Sequence, residues 1–322
     1  MLVNRGHEVI TCGNKITELI YKTEFPKIKH LSIEGYKPYY SNKNKQGWAM
    51  IKQTPKFLRI IKKETSLANK IAKENKIDII ISDNRFGFHS KLTYNIFICH
   101  QIQIQGPKIL LPIFKKINHG YINKYDICWI PDINGENTLA GKLSENVNLK
   151  TIKIGPLSRF NSPVKKENNF KYKFLGIISG PEPHQKILEK KLIKSFNSIN
   201  EDCAIISGES EHRNKTIKNT TIFPHLKTTQ FKKIVSQSEN IICRSGYSNI
   251  MDLSVLQKNA ILVPTPGQTE QEYLAKYHKK TSNVGYMTQH EINLKKANII
   301  KGKIKPFNKQ KLLQAAMIKS GL

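Results

Sequence analysis

The chain has 322 residues, 39% of them hydrophobic, which is enough for two domains with apolar cores and excludes an intrinsically disordered protein. The net charge is +29, but only six of the 53 basic residues are Arg. Nucleic-acid readers depend on Arg for phosphates and base edges. The charge therefore indicates composition bias, or an anionic membrane surface, before it indicates a nucleic-acid partner.

Two further features of the composition concern the cellular compartment. No run of about 18 apolar residues is present, and the first residues lack the apolar segment of a signal peptide, so neither a membrane span nor a leader is expected. The five scattered cysteines form no CxxC pair, which predicts reduced thiols and no structural zinc. We therefore expect a cytoplasmic protein, in solution or at the inner face of the membrane.

The first part of the chain, residues 1–157, alternates short apolar runs with helical patterns, as parallel α/β domains do. An amphipathic pattern predicts a helix at 57–76, and apolar runs predict strands at 7–13, 77–82, 94–100, 125–131 and 151–157. A doubly wound domain normally opens with a central strand and a Gly-rich turn. Neither is evident in this sequence, so we expect the first strand of this domain to be missing.

The polar, Pro-containing residues 158–169 are predicted to be a linker. Residues 170–305 repeat the alternation, and a helix is predicted within 306–322. Strands are predicted at 173–180, 203–208, 220–226, 240–246 and 259–265, with helices at 183–199, 229–238, 248–257 and 269–279. The predicted fold class is α/β, with two doubly wound Rossmann-like domains whose parallel sheets face each other across a cleft. Such domains bind ligands at the carboxyl ends of their strands.

The stretch ISGPEPHQ places Ser179 and Gly180 at a strand end, immediately before a helix. Glycine allows a ligand close to the backbone, and a helix N-terminus offers free N–H groups and partial positive charge. These properties suit a phosphate group. An ordinary strand-to-helix turn is the alternative.

The stretch CRSGYSNIMD, which starts at Cys243, repeats this arrangement. Ser245 and Gly246 form the turn, and the N–H groups of the following helix favour a diphosphate. Asp252 lies inside that helix, where a carboxylate can accept hydrogen bonds from ribose hydroxyls. The alternative for Asp252 is a solvated helix residue.

A third polar turn, PTPGQTEQEY, leads from a strand into a helix that carries Gln271 and Glu272. Amide and carboxylate groups suit sugar hydroxyls. Because all three turns follow parallel strands, they are expected at the same edge of one sheet. Their order along the chain predicts a pocket for a nucleotide-linked sugar.

Residues 173–280 resemble the donor-binding domain of family 28 glycosyltransferases, the GT-B family that includes the lipid II N-acetylglucosaminyltransferase of peptidoglycan synthesis. The matching features are the SGPEPHQ turn, the RSG turn followed by an acidic residue, and the Pro-rich turn with a polar pair before an aromatic residue. In this family the Ser-Gly turns bind diphosphate, the acidic residue binds ribose, the polar pair binds the sugar, and the backbone near IFPHL recognises the base. The resemblance implies these donor-binding residues: Ser179, Gly180, His225, Leu226, Arg244, Ser245, Gly246, Asp252, Gln271 and Glu272.

The sequence departs from the family in Asp252, where Glu is usual, and in Glu272, where Gln is usual, so the donor sugar stays open. More narrowly, the whole chain resembles a set of prokaryotic family 28-like transferases. The matching stretches are SDNRFG, CHQIQIQ, IGPLSRF, SGPEP and SGYSNIMDL with PTPGQTEQEYLA. That set begins with a G-x-G-H turn whose His is a candidate base, and this turn is absent from the present sequence.

The candidates for the chemical step therefore come from other positions in the first domain. Asp83 ends a buried strand and His100 follows another, so both are candidate catalytic residues. The alternatives are a helix cap for Asp83 and a structural role for His100. Arg85 is a candidate acceptor-side residue for an anionic group, with a surface salt bridge as the alternative.

The resemblance implies an inverting transfer of a sugar from a nucleotide-activated, UDP-linked donor to a lipid-linked or glycan acceptor. No cofactor and no metal are expected, since no DxD-like pair is present. The alternatives are an inactive nucleotide-sugar-binding relic and a GT-B-like nucleotide-sugar epimerase. Nucleic-acid binding is the least favoured function. The basic and aromatic stretch 114–129 indicates, by resemblance, peripheral contact with an anionic membrane, with a plain amphipathic helix as the alternative.

Overall fold

A computed structural model describes most of the chain. The described residues are 1–33, 46–105, 111–135, 138–145, 148–165, 167, 169–208, 214–294, 302–306 and 310–322. Within these ranges the strands form three sheets, of two, four and seven strands. The α/β class predicted from the alternating pattern is confirmed.

The two-stranded sheet pairs β1 (Ile10–Gly13) in parallel with β2 (Lys29–Ser32). Helix α1 (Lys15–Glu24) connects the two strands, and the Asn14 side chain caps it by accepting a hydrogen bond from the Thr17 N–H at 3.0 Å. Capping of this kind stabilises the first helical turn. The strand predicted at 7–13 is confirmed with a later start, and it does not pair with the four-stranded sheet.

The four-stranded sheet is entirely parallel, and its strands lie in chain order. The helix before its first strand starts at residue 46 rather than at 57, where the sequence pattern predicted it. The strands are β3 (Ile79–Asp83), β4 (Tyr94–Ile98), β5 (Ile127–Ile130) and β6 (Thr151–Lys153), with helices α2 (Gln46–Glu74) and α3 (Leu111–Ile122). Each predicted strand of this part is confirmed and is shorter than its apolar run.

The seven-stranded sheet is parallel except for one antiparallel pair, β9 (Lys215–Ile217) with β10 (Thr220–Phe223). The short strands β9 and β13 were not predicted, because three- and two-residue strands give no periodic signal. The strands are β7 (Tyr172–Ile177), β8 (Cys203–Ile206), β9 (Lys215–Ile217), β10 (Thr220–Phe223), β11 (Ser238–Cys243), β12 (Asn259–Leu262) and β13 (Gly285–Tyr286). The helices are α4 (His184–Phe196), α5 (Thr228–Ser236), α6 (Tyr247–Leu256) and α7 (Thr269–Ser282).

The strand order of this sheet, β13-β12-β11-β7-β8-β10-β9, creates a topological switch point. From β7 the chain proceeds to β8 and β10 on one side, and then returns to β11, β12 and β13 on the other. The connections after β7 and β11 therefore diverge from neighbouring strands. The crevice at their carboxyl ends is where doubly wound sheets bind ligands.

The last helix, α8 (Gln310–Lys319), covers the four-stranded sheet, although it follows the seven-stranded sheet in the chain. Ala316 and Met317 are buried against Ile96 and Trp129. The Trp129 indole N–H donates to Ser320 Oγ at 3.2 Å. The predicted C-terminal helix is confirmed, and its apolar face completes the first core.

The predicted linker has no helix or strand in its described residues, 158–165, 167 and 169. It is nevertheless packed: Phe160 is only 1% exposed and contacts the Phe231 ring in the core of the seven-stranded sheet. This segment is therefore anchored on the second sheet.

Candidate active site

The two Ser-Gly turns that were predicted separately lie together at the switch point, because β7 and β11 are neighbours in the sheet. The Asn249 side chain connects them. Its Nδ2 donates to Ser179 Oγ at 3.2 Å and to the Arg244 carbonyl at 2.9 Å. The strand order thus joins residues that are about seventy positions apart in the chain into one polar cluster.

Each turn leads into a helix whose N-terminus has no side-chain cap. Gly246 is the N-cap of α6 and Pro183 is the N-cap of α4, and neither position makes a capping side-chain hydrogen bond. The first N–H groups of α6 therefore receive no capping side chain, whereas in α4 the Gln185 N–H donates to the Pro181 carbonyl at 3.2 Å. Both helix dipoles contribute positive potential. Two such helix ends beside one crevice can bind an anion with more than one phosphate.

The two turns differ in whether their backbone conformation requires a glycine. Gly180 has a φ of 104°, a left-handed conformation that disfavours other residues. Gly246 has an ordinary φ of −64°, and a Cβ there would meet only Gln271 Nε2, at 3.9 Å. Packing does not require glycine at 246, so the missing side chain leaves open space at the start of α6.

Arg244 supports the crevice from inside the protein, and the donor-binding role expected for it stays a prediction. Its side chain is 1% exposed, and its guanidinium donates to the carbonyls of Val263, Pro264 and His184 and to Gln289 Oε1. Burial lowers the pKa of Arg244 to about 10. The cation thus connects the end of β12 to the start of α4.

Gln271 and Glu272 organise the turn between β12 and α7. Gln271 Oε1 accepts from the Thr265 N–H at 2.9 Å, and Glu272 Oε1 accepts from the Gly267 N–H at 3.0 Å. The buried Ser245 hydroxyl donates to the Gln271 carbonyl at 2.7 Å. The second and third turns are therefore joined, and the sugar-binding role of the polar pair stays a prediction.

Asp252, the candidate ribose ligand, contacts the segment that connects the two large sheets. Its Oδ1 accepts from Ser158 Oγ at 2.6 Å, and its Oδ2 lies 3.4 Å from Arg159 Nε. The alternative of a solvated helix residue does not describe this geometry. The carboxylate is held in one orientation beside the switch point, and the ribose role stays a prediction.

His225 and Leu226, the candidate base-binding residues, follow β10, two strands away from β7 on the same edge of the sheet. His225 is exposed, whereas Leu226 packs against the core. The spacing along the edge leaves the width of one strand, β8, between this segment and the Ser-Gly turns.

Across from the turns lie Asp83 and His100, at the carboxyl ends of the neighbouring strands β3 and β4. The His100 ring stacks on the Tyr247 ring, with centroids 4.1 Å apart and planes 9° apart. His100 Nε2 lies 2.8 Å from Glu270 Oε1. Because Tyr247 and Glu270 start α6 and α7, the carboxyl edges of the two large sheets face each other at His100.

Asp83 and Arg85 have different surroundings. Asp83 retains solvent access, but the protein atoms crowded around its carboxylate raise its pKa, and the nearby His100 opposes this rise. Arg85 donates from Nε and Nη2 to Glu64 Oε1, at 3.1 and 2.7 Å. Arg85 therefore forms a salt bridge, but a largely buried one rather than the surface pair that was the alternative, and an acceptor role for this residue stays a prediction.

A second contact between the halves forms where residues 138–145, which follow β5, pack on α7. Buried Asp132 organises this segment by accepting hydrogen bonds from the N–H groups of Leu139 and Ala140 and from Ser144 Oγ. On the other side, His278 Nε2 hydrogen-bonds to the Leu139 carbonyl at 2.8 Å. Burial lowers the pKa of His278 to about 4, which keeps the ring neutral.

Sequence reasoning missed Asn249, Tyr247 and Glu270. Glu270 immediately precedes the polar pair, but consecutive helix positions are 100° apart and face different neighbours. Tyr247 follows the RSG turn, which was the available signal for it. Burial, with the nearby carboxylates of Asp132 and Glu270, raises its pKa, and its hydroxyl donates to the Pro131 carbonyl at 2.8 Å.

The sequence of the second half decides its family. Residues 183–320 match the model of the glycosyltransferase family 28 C-terminal domain. Residues 183–320 are a family 28 C-terminal domain. This confirms the resemblance carried by the RSG turn and by the Pro-rich turn, which both lie within the matched residues, whereas the turn at Ser179 and Gly180 precedes them. None of the curated protein sequences that were compared matches this chain.

Solved structures show the architecture of the family 28-like chain. It resembles SnogD from Streptomyces nogalater, a glycosyltransferase, with a TM-score of 0.58 and 9% identity over 99% of this chain and 87% of that one. The spinosyn rhamnosyltransferase SpnG, solved with thymidine diphosphate, has a TM-score of 0.59 and 12% sequence identity. The match covers 88% of this chain and 80% of SpnG. The glycosyltransferase of kitacinnamycin has a TM-score of 0.55 and 12% sequence identity, over 91% of this chain and 81% of that one. At these identities the likeness shows the fold, which is GT-B as predicted.

Among the residues described, no group of three or more His, Cys, Asp or Glu side chains is arranged to hold a metal ion. No helix within the same ranges has the length and apolar character needed to cross a bilayer. The expectation that catalysis needs no metal stays a prediction.

Proposed function

We propose that this chain is a glycosyltransferase that moves a sugar from a UDP-linked donor to an acceptor hydroxyl with inversion. The observation that carries the proposal is the pair of Ser-Gly turns at the switch point, each followed by an uncapped helix. The second turn lies within the matched family 28 domain, and Tyr247, which follows it, stacks on His100 of the first sheet.

The donor would lie along the carboxyl edge of the seven-stranded sheet. Its diphosphate would occupy the crevice between Gly180 and Gly246, at the positive ends of the dipoles of α4 and α6. Asp252 would accept hydrogen bonds from the ribose. The base would lie toward His225, and the sugar toward the start of α7 near Gln271.

The reaction follows from this placement. The acceptor oxygen forms a bond to the anomeric carbon while the bond from that carbon to the phosphate oxygen breaks, and the diphosphate leaves with the electron pair. A base, His100 or Asp83, takes the acceptor proton. The dipoles of α4 and α6 stabilise the charge that develops on the leaving diphosphate, so the proposed step uses no cofactor or metal.

Thermal unfolding with UDP, GDP, ADP and TDP, and with their sugar conjugates, tests the donor site. TDP is included because SpnG was solved with it. We expect UDP compounds to raise the melting temperature most, because a ligand that binds only the folded state stabilises it. A cooperative melt that ignores every nucleotide would favour the inactive relic. Conversion of a UDP-sugar without release of UDP would favour the epimerase.

We also propose that a lipid-linked or glycan acceptor is met at an anionic membrane surface. Helix α3 exposes Ile113 and Ile117, at 57% and 47%, beside the exposed Lys116. Apolar and basic groups on one helix face suit the boundary of an anionic bilayer. Sedimentation with vesicles of phosphatidylglycerol should capture the chain, whereas neutral phosphatidylcholine should not. Equal recovery with both would exclude the electrostatic part of this proposal.

A further inference from the structure

We infer that Glu270 is a positioning residue for His100, so that the catalytic base is assembled from both halves of the chain. This inference rests on the proposed function and deepens it. His100 follows β4 of the first sheet, and Glu270 lies in the first turn of α7 in the family 28 domain. The two residues are 170 positions apart in the chain.

The geometry fixes the ring at two places. Glu270 Oε1 lies 2.8 Å from His100 Nε2, a normal hydrogen-bond distance, and the Tyr247 ring stacks on the imidazole face. The Tyr247 ring is itself held by the hydrogen bond from its hydroxyl to the Pro131 carbonyl. The imidazole therefore has a defined plane and a defined nitrogen that faces the carboxylate.

The carboxylate selects one tautomer of the neutral ring. A carboxylate accepts hydrogen bonds, so Nε2 carries the proton and Nδ1 keeps its lone pair. Nδ1 makes no hydrogen bond to the residues that the structure describes, and the His100 side chain is 21% exposed. The titratable groups around the ring are Glu270, Tyr247, Asp83 and Cys99.

In the transfer step, His100 Nδ1 takes the proton from the acceptor hydroxyl as its oxygen attacks the anomeric carbon. The imidazolium that forms is stabilised by Glu270, and the electron pair of the broken bond leaves with the diphosphate. Glu270 touches neither the acceptor nor the donor in this scheme. It acts through His100, and it makes the base depend on the approach of the two halves.

The chain offers a matched control for a partly exposed ion pair. Lys173 Nζ lies 2.8 Å from Glu239 Oε2, with side-chain exposures of 28% and 23%, close to the 21% and 28% of His100 and Glu270. Glu239 lies in β11 near its amino end, away from the carboxyl edge. Glu239→Gln therefore removes a similar carboxylate from a similar pair outside the site.

The first readout is the tautomer of His100, which needs no substrate. In ¹⁵N-histidine-labelled protein at pH 8, the His100 signal is the one missing from His100→Asn. We expect the Nε2–H tautomer to dominate in the wild type and in E239Q. In E270Q both tautomers should be populated, because an amide can either accept from or donate to Nε2. An unchanged tautomer in E270Q would overturn the inference.

The second readout is release of UDP from UDP-glucose and UDP-N-acetylglucosamine, with water as acceptor. E270Q should lower kcat by about 10- to 100-fold, as loss of an orienting partner typically does, with KM for the donor nearly unchanged. E239Q should match the wild type. A raised KM with unchanged kcat would make Glu270 a donor ligand and overturn the inference.

The two readouts also separate this inference from the proposed function. If the wild type releases no UDP and binds no nucleotide, the proposed function fails, while the tautomer measurement still decides whether Glu270 positions His100. If the wild type turns over and E270Q matches it in both readouts, the function stands and the positioning role fails.

Discussion

At the scale of single residues, Arg244 and Gly246 belong to the same turn, but the structure explains the identity of each in a different way. Arg244 is buried and its guanidinium binds carbonyls of two strand and helix ends, so its role is to hold the crevice in shape. Gly246 is required neither by its φ nor by its neighbours. Its lack of a side chain leaves room at the start of α6 for the diphosphate of the proposed donor.

This explanation predicts opposite effects on stability and on binding when a carboxylate is placed at 246. Gly246→Asp should raise the free energy of unfolding by about a few tenths of a kcal/mol, because Asp caps helices better than Gly. The same charge, about 4 Å from a phosphate, costs about 1–4 kcal/mol, so UDP affinity should fall about tenfold or more. Urea unfolding and UDP titration measure the two effects.

Gly246→Asn is the control for the charge, because Asn has a similar size and caps helices equally well. It should keep more UDP affinity than the Asp variant. Equal affinities of the two variants would mean that the anionic group of the ligand lies elsewhere.

At the scale of elements, the packing of α7 on residues 138–145 holds the two halves together through buried polar groups. His278 is central to it, since its ring is 2% exposed and bonds to the Leu139 carbonyl. Burial lowers its pKa from the ordinary 6.5 to about 4. Protonation therefore opposes folding at this contact, and acid is expected to loosen it.

The sign of the pH effect follows from the lowered pKa. Between pH 6.5 and 4 the unfolded chain binds a proton at His278 that the folded chain does not, so stability falls as pH falls. The part of the free energy of unfolding that depends on a neutral His278 is fully present above pH 6.5 and is lost as the pH falls toward 4. Its total is about 3 kcal/mol. His278→Gln keeps a donor for Leu139 and removes the titration.

Urea unfolding at a series of pH values from 4 to 7 measures this difference. The stability of H278Q should fall less steeply with acid than that of the wild type, with native near-UV circular dichroism at pH 7 as the control for folding. Equal slopes for both proteins would show that His278 is not the acid-sensitive group of this contact.

At the scale of the whole molecule, α8 covers the first sheet after the chain has completed the second. Its apolar face is part of the core around Trp129 and Ile96, so the first core depends on residues from the far end of the chain. Folding of the first half therefore needs a contact of high sequence separation, which is slow to form.

Two adjacent residues of α8 test this dependence. Met317 is 2% exposed and packs on the sheet, whereas Ile318 is 70% exposed. Met317→Ala should lower the free energy of unfolding by about 2–3 kcal/mol, from lost burial and the cavity that is left. Ile318→Ala should change it by about 0.5 kcal/mol or less. Chemical denaturation measures both, and equal effects would contradict the packing of α8.

The sequence by itself determined the alternation of strands and helices and the polar turns after β7, β11 and β12. These features depend on hydrophobic periodicity and on local turn chemistry, which a short window contains. The family 28 resemblance of the second half was visible for the same reason, because its motifs are contiguous. Strand ends were predicted less well, since apolar runs continue past the last ladder hydrogen bond.

Only the tertiary structure decided which of these turns meet. The neighbouring positions of β7 and β11 bring Ser179 to Asn249, and the facing sheets bring His100 to Glu270. The destination of α8, the burial of Arg244 and the orientation of Asp252 were settled in the same way. The physical reason is that each depends on strand order and on contacts between distant segments, and no local pattern of residues encodes the partner on the other side.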